Sequence, residues 1–291
     1  SLPSTYCQDF SGATFPTSDM TLEFTGTQYW SRQTPSAYAS GTGSAKFDFW
    51  NAAAGVSQSM VTNTFVATAA GTSLVFDRSY SPWFTSTDSL IIETSVNGGT
   101  TYTNLARMWG NENGGAPLNT VPRINDFLPS SGGDWRPNVF AIPTGTNKIR
   151  FKAVSGFGNN LYLDNICLQT LATPVSSSIG LIIEGLYIPN NPYNFYPDTV
   201  TVYLQRTDFP NVKVDSARDV LGSNAVVGNL LFGKALNGTY YRVVKHRNSI
   251  ETWSNIGVAY NRGSNSHHNF VPNGESYGNN MANVGPFKGM Y

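Results

Sequence analysis

Three histidines, His246, His267 and His268, are the only imidazoles among the 291 residues. A serine nucleophile would need one of them as its base, with a carboxylate behind it. No G-x-S-x-G turn offers such a serine. Serines are common near His246, but abundance is not geometry. His246-Arg247-Asn248, followed by Glu251 and Trp253, reads instead as a hydrogen-bond and ion-pair network that fixes a loop. His267 and His268 are adjacent, so on a strand they face opposite ways and chelate poorly. No Cys/His spacing suits zinc, and nothing marks the carboxylate pair of a glycosidase. These residues predict a protein that is not an enzyme.

Aromatic rings are the second source of chemistry. Trp30, Trp50, Trp83, Trp109 and Trp135 all fall in the first 172 residues. Tyr80–Phe84 (YSPWF) and Arg107–Asn111 (RMWGN) have loop-like sequences. Trp83 and Trp109 could stack on a pyranose there, and Asn111 and Asn113 could add hydrogen bonds. The competing expectation is that these rings fill a core or line a protein interface, where aromatics are also enriched.

The elements that must position these residues read as strands. Hydrophobic residues make up 40% of the chain and aromatics 13%, enough for sizeable cores, while charged residues are only 12%, about half the usual share. Lys+Arg and Asp+Glu both number 18. No basic patch suits nucleic acid, and nothing in the net charge keeps copies apart. No apolar run approaches the ~20 residues of a membrane span. Short alternating segments recur, such as Ser73–Phe76, Leu90–Val96, Lys148–Ala153 and Leu161–Leu168. Asn97-Gly98-Gly99-Thr100 marks a tight hairpin. Later segments are Ile179–Leu186, Thr199–Gln205, Asn229–Phe232 and Tyr240–Lys245. The predicted fold class is all-β: an N-terminal jelly-roll sandwich and a C-terminal Ig-like or transthyretin-like β-sandwich.

Leu171–Ser178 (LATPVSSS) is small, Ser-rich and carries Pro174. It divides the chain into a first domain over 1–172, a linker over 173–178 and a second domain over 179–291. The stretch Asn261–Tyr291 is rich in Asn, Gly and Ser and reads as an irregular tail, with weak strands at Gly257–Tyr260 and His268–Val271. Cys7 and Cys167 sit near the two ends of the first domain. First and last strands of a sandwich often lie side by side, so a Cys7–Cys167 disulfide would staple that domain and fit an oxidising compartment. Two unrelated buried thiols are the alternative. Ser1-Leu2-Pro3-Ser4 reads like a mature end left by signal-peptide removal, or an arbitrary cut.

Three stretches of the first domain resemble the cleaved-adhesin, or choice-of-anchor J, family. They are Cys7–Gly12 (CQDFSG) with Phe15-Pro16, then Leu74–Tyr80 (LVFDRSY) with Asp88-Ser89-Leu90 and Ser95–Gly99 (SVNGG), and finally Gly158–Ile166 (GNNLYLDNI). The resemblance implies a MAM-like jelly roll in a secreted or surface protein of bacteria that use type IX secretion. It also implies adhesion and, often, calcium. Gly238–Ser254 (GTYYRVVKHRNSIETWS) is similar to a segment found near the ends of secreted proteins of the same bacterial groups.

Calcium takes six to eight oxygens at once. If the strands bearing Asp9 and Asp164 pair, the two carboxylates converge at one edge, in the region where the resembling family tends to hold metal. Ser11 stands where that family has a second acid, which removes one ligand. Asn165 and Asp48 are weaker candidates, and turn-capping by the aspartates is the alternative. The expected function is a non-catalytic extracellular structural or adhesion protein of the bacterial cell surface. Its partners would be further copies of itself, in a filament or array, or other surface proteins or glycans. A carbohydrate-binding accessory module of a larger secreted enzyme is the second expectation.

Overall fold

The computed structural model describes residues 1–188, 196–285 and 287–291. The chain divides into two compact units, Ser1–Leu171 and Ala172–Tyr291.

Eleven strands build the first unit: β1 (Cys7–Gln8), β2 (Met20–Glu23), β3 (Trp30–Gln33), β4 (Ser44–Phe47), β5 (Ser57–Thr62) and β6 (Thr72–Tyr80). They continue with β7 (Asp88–Ser95), β8 (Thr103–Gly110), β9 (Arg136–Ala141), β10 (Lys148–Val154) and β11 (Leu161–Thr170). One sheet runs β3-β4-β11-β6-β9, with β1 added on β11; the other runs β2-β5-β10-β7-β8. Every ladder is antiparallel. Alternation assigns the faces: on β10, Ile149, Phe151 and Ala153 are buried while the residues between them are half-exposed. Phe47, Leu74, Phe76 and Leu163 from one sheet share a single core with Met60, Leu90, Ile92 and Phe151 from the other. Phe76 and Phe151 meet edge-to-face across the sandwich, ring centroids 5.7 Å apart. Each such buried ring contributes roughly 1.5–3 kcal/mol by leaving water.

The β7–β8 hairpin turns where Asn97-Gly98-Gly99-Thr100 predicts it. Gly98 and Gly99 take positive φ, 70° and 94°, as this turn requires. The Ser95 hydroxyl accepts from the Asn97 and Gly99 N–H groups.

The second unit holds β12 (Ser177–Gly180), β13 (Asp198–Arg206), β14 (Lys213–Leu221), β15 (Val226–Leu230) and β16 (Gly238–Lys245). After these come β17 (Thr252–Trp253), β18 (Val258–Tyr260), β19 (His267–Asn269), β20 (Ala282–Val284) and β21 (Phe287–Gly289). The first eight form one continuous sheet in the order β17-β16-β13-β14-β15-β12-β19, with β18 on β16. Ile179 of β12 and Val244 of β16 are far apart along that sheet yet pack in one core with Val200, Val202 and Leu204. The sheet therefore folds over on itself.

Three sequence expectations need correction here. Ser177 and Ser178, read as linker, begin β12. Ile179–Leu186 is not one strand: β12 ends at Gly180, and Glu184–Leu186 forms a 3-10 turn. The tail is more ordered than expected: besides β19, which forms at the weak strand expected over His268–Val271 and pairs in parallel with β12, β20 pairs with β21. Ala282 and Val284 bury against Ile182, which gives this Asn- and Gly-rich stretch enough apolar contact to order.

Cys7 and Cys167 are directly opposed in the β1–β11 ladder and form a disulfide spanning 160 positions. A loop of that length loses much conformational freedom in the unfolded chain when it is closed. Replacing both cysteines by serine is expected to lower the stability of the first unit by about 2–5 kcal/mol. Denaturant unfolding followed by tryptophan fluorescence measures this, since five of the six tryptophans precede Leu171. A loss below about 0.5 kcal/mol would contradict the staple.

Candidate functional site

The connection between β6 and β7 carries Trp83 and Phe84. Trp83 packs edge-on against Trp50, with centroids 4.8 Å apart, and against Phe84 at 4.9 Å. The Arg123 guanidinium lies 3.9 Å over the Phe84 ring and 5.9 Å from the Trp83 ring. Glu112 pairs with Arg123 at 2.9 Å, and its N–H donates to the Phe84 carbonyl. Segments far apart in sequence thus meet in one aromatic ledge, on which Phe84 is 50% exposed. Edge-to-face rings and a cation over a ring face hold one another in register, the latter worth roughly 0.5–2 kcal/mol.

The connection ends at Asp88, the first residue of β7 and fully buried. Its Oδ2 accepts from the Tyr80 hydroxyl and the Asn159 N–H, each at 2.9 Å. Its Oδ1 accepts from the N–H groups of Gly156 (2.8 Å) and Gly158 (3.2 Å). Burial pushes the carboxyl above the usual carboxylate range, and the four donors pull the other way. Only glycine fits this approach: a Cβ on Gly158 would overlap the Asp88 carboxylate, and one on Gly156 the Thr87 backbone. Asn159 and Asn160 fasten the adjoining loop. The Asn159 side chain accepts from Phe127 N–H at 2.9 Å and donates to the Ile124 carbonyl, and Asn160 donates to Asp126 and to the Phe127 carbonyl.

The sequence-predicted residues separate around this arrangement. Trp83 joins the ledge. Trp109 lies on β8, half-buried, with its carbonyl accepting from Leu118 N–H. Asn111 is 7% exposed and does not face outward. Its Oδ1 accepts from Asn113 N–H, its carbonyl accepts from Asn119, and it organises its own loop. Trp30 and Trp135 are core residues, each 1% exposed.

Asp164 lies on β11 beside the disulfide. Its Oδ2 accepts from Ala37 N–H at 2.7 Å and its Oδ1 from Asn165 N–H at 2.7 Å. Burial, with the charges of Asp77 and Asp9 nearby, raises its carboxyl to about 7. Asp9 is exposed and accepts from Ser11 N–H. Asn165, in the left-handed region at φ 50°, donates to Asp77 within the bulge of β11. Asp48 is turned to Lys46 and Asn51. Among the described residues no three His, Cys, Asp or Glu side chains gather as a metal set. Asp9 and Asp164 each receive a backbone N–H group.

The histidines occupy structural positions. The carboxylate on His246 is Asp198, not Glu251: Nε2 lies 3.1 Å from Asp198 Oδ2, which also receives Arg247. Glu251 instead pairs with Lys245 and accepts from Trp253 Nε1. His267 Nδ1 lies 2.8 Å from the Ser178 hydroxyl, a contact that sequence did not reveal, and no carboxylate meets its other nitrogen among the described residues. His268 faces inward, its Nε2 3.3 Å from the Glu275 carbonyl, and burial lowers its pKa. Sequence also missed Arg242, 2% exposed and near the rings of Phe232 and Tyr260. Burial lowers its pKa to about 10.

No protein family matches the chain, and no curated protein does. Among solved structures it is similar to the K2 cleaved adhesin domain of Lys-gingipain: 13% identity and a TM-score of 0.42, over 56% of this chain and 98% of that one. The K3 cleaved adhesin domain of Lys-gingipain from Porphyromonas gingivalis gives 15% and 0.40, over 56% and 97%. A carbohydrate-binding module from Clostridium stercorarium in complex with cellobiose gives 8% and 0.32, over 58% and 97%. All three are distant likenesses.

Two outcomes follow from the buried carboxylates. Asp88→Asn leaves at least one backbone N–H without an acceptor, so it is expected to destabilise the first unit by about 2–4 kcal/mol, read by denaturant unfolding. An unchanged midpoint would remove Asp88 from this role. For Asp164, folded protein keeps a proton up to about pH 7 that the unfolded chain releases near pH 4. Stability therefore falls as pH rises through that window. Asp164→Asn is expected to flatten part of this slope, on the order of 3–4 kcal/mol. Unfolding midpoints at pH 4, 6 and 8, with and without millimolar calcium, test it. Calcium that lifts the wild-type midpoint at pH 8, and not that of the variant, would assign Asp164 to a calcium site.

Proposed function

We propose that this chain is a non-catalytic extracellular adhesion protein whose contact surface is the aromatic ledge of Trp50, Trp83 and Phe84. The observation that carries this reading is the ledge's construction. A half-exposed aromatic surface costs free energy in water, yet it is held in one geometry by Arg123, by the Glu112 N–H on the Phe84 carbonyl, and by the Trp50 N–H on Asn160 in the loop that Asp88 fastens. Aromatic and arginine side chains anchored in this way make effective centres of protein interfaces. The histidines support the same conclusion, since His246 and His268 are tied to structural partners. The disulfide suits an oxidising environment such as the bacterial cell surface. No helix among the described residues is long and apolar enough to cross a membrane.

The partner class follows from ring geometry. Arg123 covers one face of Phe84, and Trp83 is flanked by Trp50 and Phe84. A sugar needs an open ring face, so this ledge suits a protein surface better, including that of another copy in a filament or array.

Sedimentation of the full chain, electron microscopy of concentrated protein and binding to other surface proteins test the reading. Trp83→Ala with Phe84→Ala is expected to abolish association or binding, at a loss of at least about tenfold, or 1.4 kcal/mol. Both positions are partly exposed, so the fold should survive, as unfolding curves can check. Association that survives both substitutions, or turnover of any substrate in a broad hydrolase panel, would sink the proposal. Binding to a glycan array through the same residues would favour the accessory-module reading.

A further inference from the structure

The second unit contains a concave aromatic site that the ledge reading does not use. Pro210, Tyr241, Trp253 and Tyr277 line a cleft of about 340 Å³, within the ordinary range for small-ligand sites. Pro210 comes from the turn after β13, Tyr241 from β16, Trp253 from β17 and Tyr277 from the segment after β19. Four separate stretches of chain thus converge on it.

The indole is held in place. Trp253 Nε1 donates to Glu251 Oε1 at 2.7 Å, and Glu251 Oε2 pairs with Lys245 Nζ at 2.6 Å. Tyr241 meets Trp253 edge-on, centroids 5.8 Å apart at 61°. Tyr277 is 65% exposed. The bridge between Ser254 and Ser276 fixes the Trp253 and Tyr277 segments against one another. Such preorganisation removes part of the entropic cost of binding.

We infer that this cleft binds a neutral saccharide by stacking a pyranose ring against Trp253, Tyr241 and Tyr277. Three features select that chemistry. First, the nearby charges are already paired, Glu251 with Lys245, so nothing there recruits an ionic ligand. Second, the negative faces of these rings match the weakly positive C–H face of a sugar. Unlike Phe84 in the first unit, none of the three rings has a cation over it among the described residues. Third, a proline-rich peptide is the rival occupant of an aromatic-lined groove. Its prolyl carbonyls can only accept, so against them each phenol would use its donor alone, and the indole N–H is committed to Glu251. The two phenols instead bring hydroxyls that can trade hydrogen bonds with those of a sugar.

Trp253 is the only tryptophan of the second unit, which makes the test site-specific. The full chain is labelled with 5-fluorotryptophan, and the Trp253 resonance is assigned with Trp253→Phe. Methyl β-glucoside, methyl β-galactoside, cellobiose and lactose are titrated to about 50 mM, a range that reads millimolar Kd values. At least one saccharide is expected to displace the Trp253 resonance saturably, leaving Trp50 and Trp83 unmoved. Tyr277→Ala, at an exposed position, is expected to weaken that response about tenfold. No displacement by any of the four sugars overturns the inference. So does a response that Tyr277→Ala leaves intact, one given only by a proline-rich decapeptide, or one that follows protein concentration without sugar. Because the ledge is read from other tryptophans, failure here leaves the adhesion proposal standing, and the reverse.

Discussion

A single buried carboxylate ties together the two sheets at one end of the first unit. Asp88 begins a strand of one sheet, takes a hydroxyl from Tyr80 at the end of a strand in the other, and takes three N–H groups from the crossing between β10 and β11. Without it, the loop that passes from sheet to sheet would carry buried amides with no acceptor. A charge buried in this way is costly unless its hydrogen bonds are saturated. Here four donors converge, and two glycines let the backbone come close enough to deliver them. The aromatic ledge is built on the neighbouring loop, so its geometry depends on a polar interaction that it does not itself contain.

The strands were legible because alternation is a local property. Lys148–Val154 declares its buried face in seven residues, and Asn97-Gly98-Gly99 announces its turn by itself. The cysteine pairing was legible because the first and last strands of a sandwich tend to be neighbours. What escaped notice was what depends on partners distant in sequence. Asp88 looks like any aspartate before a leucine until residues about 70 positions later fold back on it. Likewise, the acid on His246 is Asp198, 48 positions upstream, whereas the neighbouring Glu251 enters the loop's network through Lys245 and Trp253. The weak strand expected at His268–Val271 forms over His267–Asn269, but its pairing partner, β12, lies about 90 positions earlier and could not be read locally. Asn111 was misread for a similar reason: an amide beside a tryptophan looks available until its own loop claims it.

The two units handle buried charge differently. Asp88 is fully satisfied, whereas Arg242 has no carboxylate beside it among the described residues. It donates to Ser266 at 2.6 Å and to the Ala259 carbonyl at 3.3 Å, while Nη1 has no partner among the described residues. The rings of Phe232 and Tyr260 offer part of the compensation through their negative faces. The second unit therefore carries a cation in its core that a neutral residue of similar volume would replace at little cost. Arg242 adds less stability than its central position on β16 suggests.

The Cys7–Cys167 bond also determines how the first unit would carry tension. Pull on the chain ahead of Cys7 and beyond Cys167, and the load runs through six leading residues, one covalent bridge and then Leu168 onward. Everything from Gln8 to Ile166 lies off that path. The sandwich would not be peeled strand by strand, because its hydrogen bonds are bypassed by a link that holds far greater force. A chain with this wiring can be stretched along its backbone while the sandwich keeps its shape.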